Sequence, residues 1–79
     1  MIKMTKTTEA LFIHLVKDAP NWSGQPIINV TAELRGNLAD LKKKGLITTH
    51  VEEGNTWCTF TAKGEQVSED QFGLKVEGV

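Results

Sequence analysis

Leu38-Ala39-Asp40-Leu41-Lys42-Lys43-Lys44-Gly45-Leu46-Ile47 and, after an interval of twelve residues, Phe60-Thr61-Ala62-Lys63-Gly64 are the two runs that decide how this chain folds. Leu34, Leu38 and Leu41 are spaced four and three apart, which puts them on one stripe of a helix. That helix runs from about Thr31 or Ala32 to Lys44, with Thr31 as N-cap and Glu33 near the positive end. Three lysines close it at the negative end, and Gly45 stands where a helix exits through a left-handed residue. Leu46 and Ile47 then re-enter the core. Residues 48–51 and 56–61 are rich in β-branched and aromatic types and flank Glu53-Gly54-Asn55, a turn signal, so a hairpin follows. With Gly54 and Asn55 central, Val51 faces Cys58 and Thr49 faces Phe60. That register puts Thr49, Val51, Cys58 and Phe60 on one face, and His50, Glu52, Trp57 and Thr59 on the other. Thr61 caps a last short helix, from Ala62 to about Asp70.

Working outward, residues 8–19 form a first helix. Leu11, Phe12, Leu15, Val16 and Ala19 share one face, Thr7 or Thr8 caps its start, and Pro20 ends it. Asn21, Ser23, Gly24 and Pro26 are turn formers, and Ile27, Ile28 and Val30 suit a short strand or a buried extended segment. Residues 71–79 carry Phe72, Leu74 and Val76 among polar neighbours, a final strand or a loose tail. The sum is an α+β fold in one domain, residues 1–79.

Size and charge bound the function. Seventy-nine residues bury only about 62% of the unfolded surface, so a large enzyme pocket has little room. A net charge of −1 excludes a uniformly basic nucleic-acid coat protein but leaves room for a local basic face. Residues 33–44 sum to +2, whereas residues 64–79 sum to −3. One cysteine, Cys58, permits no internal disulfide and fits a reducing compartment. The apolar run 10–16 falls short of the ~20 residues a membrane span needs, and the chain reads as cytoplasmic.

The two opening runs, at this spacing, resemble the winged-helix regulators of the MarR-like and related bacterial groups. In those proteins a recognition helix ends in a basic Gly-Leu-Ile segment, and the wing ends in Leu-Thr-x-x-Gly. The likeness covers about residues 31–64, and the string Arg35-Gly36-Asn37-Leu38-Ala39-Asp40-Leu41-Lys42 also looks like small winged-helix proteins carried by bacteriophages. The resemblance implies a compact winged helix and DNA-binding in transcription regulation. Such domains have a full second helix before the recognition helix; Pro20, Gly24 and Pro26 leave room here only for a very short, displaced or missing one.

Two functions follow. In the first, helix 32–44 meets duplex DNA through Arg35, Gly36, Asn37, Asp40, Lys42, Lys43 and Lys44, with small residues allowing close approach to the major groove. In the second, the same scaffold binds a protein, for example a phage protein holding a host protein, through Trp57, His50, Glu52 and Glu53. Trp57 on the outer face is either an exposed anchor or packed against Trp22 or the tail. A homodimer is compatible with both. His14 and His50 have no Cys, His or Asp partners at metal-ligand spacing, Cys58 has no base within reach, and no glycine-rich phosphate loop is present. The expectation is therefore neither an enzyme nor a cofactor or metal carrier.

Overall fold

The computed structural model describes residues 2–78. Helix α1 spans Lys6–Asp18 and runs into a 3-10 turn, Ala19–Trp22. Strand β1 is Ile27–Ile28, α2 is Ala32–Lys43, β2 is Ile47–Glu52, β3 is Asn55–Phe60 and α3 is Ala62–Phe72. Three helices thus pack with a three-stranded antiparallel sheet of order β1-β3-β2. No α-helix stands between α1 and α2. Pro20 turns the end of α1 into the 3-10 turn, Pro26 leads into β1, and α2 is entered from extended chain.

The core joins α1, α2 and the inner sheet face. Phe12, Leu15, Leu41, Leu46, Ile47 and Cys58 are almost fully buried, and Leu11, Val16, Ile28, Leu38 and Phe60 complete the layer. Phe12 meets Phe60 edge-on at 6.0 Å and Phe72 at 5.9 Å, which ties α1 to both the sheet and α3. Helix α1 begins two residues before the expected start. Thr5 caps it by accepting from the Thr8 amide, and Thr8 lies buried inside the first turn.

The exit of α2 follows from its composition. Gly45 has φ +75°, its amide donates to the Lys42 carbonyl and the Leu46 amide donates to the Leu41 carbonyl. This is the paired closure that a left-handed C′ glycine allows. The hairpin turn is set differently from the sequence expectation. Its central residues are Glu53 and Gly54, with φ +52° and +79°, and not Gly54 and Asn55. Thr49 therefore faces Cys58, Val51 faces Thr56 and Ile47 faces Phe60. A two-residue loop of this kind needs positive φ at both positions, with glycine favoured at the second. The shift also sets Ile47 and Phe60, both buried, directly opposite each other. Because the register moves by two, the assignment of residues to faces stands.

Residues 73–78 form neither a strand nor a loose end. Gly73 closes α3 with φ +67°, Val76 is buried, and a Cβ on Gly78 would come within 2.7 Å of the Gly24 nitrogen. Gln71 also exchanges two hydrogen bonds with the backbone of Ile2.

Truncating Leu38, 6% exposed at the α2 contact, is expected to cost roughly 2–5 kcal/mol by chemical denaturation. An unchanged midpoint would show that α2 does not pack through this stripe. Gly64→Ala tests a different constraint, since a Cβ there would overlap the Leu46 carbonyl oxygen. It is expected to lower stability by about 1–3 kcal/mol, although alanine is the better helix former.

Candidate nucleic-acid interface

Burial of Leu38 and Leu41 fixes the rotation of α2, and the opposite stripe faces solvent. Ala32, Arg35, Gly36, Ala39, Lys42 and Lys43 are all exposed along it. Gly36, Ala39 and Lys43 lie near its middle, Arg35 and Lys42 flank one side, and the exposed Glu33 lies on the other. A Cβ on Gly36 would meet nothing within 4 Å. Glycine in an exposed helix interior costs roughly 0.5–1 kcal/mol relative to alanine, and no packing contact here calls for it.

The other expected contacts are held within the domain. Asn37 turns toward α1, where its Oδ1 accepts from the hydroxyls of Thr7 and Thr8, both at 3.2 Å. Lys44 donates to Asp40 at 2.6 Å. That hydrogen bond and the lysine's charge hold the Asp40 carboxyl below its ordinary range. The pair's contribution is thus present above the ordinary carboxylate pKa and disappears as acid protonates Asp40. Lys42 reaches the Thr49 hydroxyl at 3.3 Å, which leans its ammonium over the start of β2. Among the described residues, Arg35 and Lys43 form no ion pair.

A shallow groove runs beside this stripe, between the start of α1 and α2. Lys3, Thr5, Thr7 and Thr8 line one wall, and Gly36, Asn37, Asp40 and Lys44 the other. Sequence reading missed Lys3 and the three threonines. The polar run at the N-terminus signals a helix start, but only the packing of α1 across α2 brings it beside Gly36.

The residues of the second reading lie on the outer sheet face. Trp57 is half-buried between its strand partners Ile27 and His50. Trp22, 42% exposed, meets it edge-on at 5.9 Å. The indole Nε1 of Trp57 is buried with no acceptor. His50 approaches Glu52 at 3.8 Å, and Glu52 and Glu53 are exposed at the hairpin tip. The structure therefore separates the two candidate sets, one on α2 and one on the back of the sheet.

Compared with protein-family models, curated proteins and solved structures, the chain matches none. Among the described residues, no group of three or more His, Cys, Asp or Glu could hold a metal ion. No described helix is long and apolar enough to cross a membrane. Cys58 is fully buried, and burial pushes its thiol up to about 12. Its thiol is expected to resist aromatic disulfide reagents at neutral pH until the domain opens. Reaction at the rate of a free thiol in the folded protein would contradict the burial. Because the unfolded thiol ionises near 9 and the folded one only near 12, its contribution to stability is complete below pH 9. That contribution falls as pH rises above 9.

Proposed function

We propose that this domain is a reduced winged helix that binds duplex DNA through α2. The observation that carries the reading is the solvent stripe Ala32, Arg35, Gly36, Ala39, Lys42 and Lys43, where a glycine that costs helix stability stands open. Small side chains let a helix axis approach base edges closely, while flanking cations meet phosphates. The strand order β1-β3-β2 and the hairpin after the helix support the winged-helix assignment. Regulation of transcription is the role that such a module would serve. Lys3, across the groove from Gly36, would contact one phosphate strand.

Arg35 and Lys43 carry this reading more than Asn37 or Lys44, because the latter two are engaged by Thr7, Thr8 and Asp40. The exposed Glu52 and Glu53 keep the hairpin tip off the phosphates, so the α2 side approaches alone. Regular helix-turn-helix docking has a preceding helix against the backbone, and here the N-terminal turn of α1 takes that place.

The second reading, a protein-binding module, is favoured by the Trp22–Trp57 pair on the outer sheet face. Exposed tryptophans serve as interface anchors.

Binding of mixed-sequence duplex, measured by fluorescence anisotropy across a salt series, separates the readings. Arg35→Glu and Lys43→Glu are expected to weaken binding to all sequences and to lower the log–log salt slope by about one unit per lost phosphate contact. Trp57→Ala should leave it unchanged. The reverse pattern, or no binding at low salt, would give the outer sheet face the function. Gly36 supplies a separate test. Gly36→Ala should raise stability by about 0.5–1 kcal/mol, whereas Gly36→Gln should leave the fold intact and abolish tight duplex binding. Undiminished binding by Gly36→Gln would remove the close-approach argument.

A further inference from the structure

The outer face of the sheet is left over by the core. Its outward positions are Ile27, Trp57, Thr59, Thr48, His50 and Glu52, and none of them is fully buried. Both tryptophans of the chain meet there, Trp22 standing edge-on to Trp57 at 5.9 Å with 77° between the rings. The Trp57 indole Nε1 is buried with no hydrogen-bond partner among the described residues. Most buried donors are paired, and an unpaired one destabilises the state that holds it. A ligand for this face should therefore bring an acceptor.

Charge on this side has one sign. Residues 18–31 and 45–62 supply the three strands, the hairpin turn and the 3-10 turn, and their formally charged groups at pH 7 are Asp18, Glu52 and Glu53. Neither stretch contains a lysine or arginine; all nine lie in residues 3–17, 35–44 and 63–75. Asp18 accepts from Asn21, the residue before Trp22. Glu52 shares the outer face with His50, the strand partner of Trp57. Lys42 reaches the sheet at Thr49, on the inner face. The tail that meets Gly24 adds Lys75 and Glu77, which cancel.

These features choose among ligands. A face with carboxylates and no cation repels nucleic acid, and it sets like charges against an acidic segment. A cation is drawn both to the carboxylates and to the tryptophan rings. Arginine suits them best, because its planar guanidinium stacks on an indole and pairs with a carboxylate. A guanidinium only donates, so the acceptor for Nε1 has to be a main-chain carbonyl beside it. We propose that the outer sheet face binds an arginine-bearing segment of a partner protein. Its basic side chains stack on Trp22 and pair with Glu52 and Glu53, and one of its carbonyls accepts from Trp57 Nε1 as the Trp22 ring turns aside. The proposal rests on the protein-binding reading of this face, to which it gives a partner chemistry, and it requires nothing of α2.

Both tryptophans lie on this face, so the intrinsic fluorescence of the chain reports on it directly. The protein is titrated with short end-capped peptides in which threonine alternates with arginine, with glutamate or with serine. The arginine peptide should give a saturable change with a dissociation constant below about 1 mM, weakened by added salt. Trp22→Ala and the double change Glu52→Lys with Glu53→Lys alter exposed positions. Each should weaken binding by about tenfold or more with an unchanged circular dichroism spectrum. Trp57→Phe keeps an aromatic ring and removes the Nε1 donor, and it should weaken binding by roughly threefold or more. No saturable change up to about 1 mM, or variants that bind as tightly as the parent, would overturn the proposal. Preference for the serine or glutamate peptide would overturn the basic chemistry while leaving this face a protein-binding surface.

Discussion

The Thr61 hydroxyl joins the two corners on which the domain depends. It donates to the Gly45 carbonyl at 2.6 Å and accepts from the Gly64 amide at 2.9 Å, while the Thr61 amide holds the Leu46 carbonyl. One residue thus closes the exit of α2, caps α3 and ends the β3 ladder. Gly64 has to be glycine because α3 presses against the Leu46 carbonyl there. Gly45 has to turn left-handed so that its carbonyl points at the hydroxyl. The two sequence runs therefore belong together as the two sides of one junction. With that junction fixed, Leu46 and Ile47 enter the core, and the rotation of α2 about its axis follows from Leu38 and Leu41.

What was legible in the sequence was mostly local. The 3.6-residue spacing of leucines, a glycine after a lysine run, and threonines before helices each report on neighbours a few residues away. Those neighbours decide the outcome at α1, α2 and α3. The hairpin was legible as a hairpin, and its turn was misplaced by one residue. Asn55 is the more usual left-handed residue, yet Glu53 takes the strained position because Ile47 and Phe60 gain by facing each other. The strand pattern carried the face assignment, but it carried no sign of which turn residue would yield.

The candidate site was legible only in part. Periodicity identified the solvent face of α2, including Arg35, Gly36, Lys42 and Lys43. It did not identify which polar groups the fold consumes. Asn37 is taken by threonines twenty-nine and thirty residues earlier in the chain, a contact that no local pattern encodes. Lys44 and Asp40 stand four apart and were open to pairing, a cue that the spacing offered. The edge-on contact of Trp22 with Trp57 depends on the pairing of β1 with β3, and a two-residue strand leaves almost no sequence trace.

The functional account rests on one face of one helix being offered to DNA, while the opposite side of the sheet is left free for other contacts. Amide chemical-shift mapping during titration with a mixed-sequence duplex at low salt reads this residue by residue. The account requires shifts concentrated at residues 32–43 on the solvent stripe and at the N-terminal segment from Lys3 to Thr8, reversed by salt. Shifts confined to Trp22, His50, Trp57 and the hairpin tip, with α2 unmoved, would contradict it.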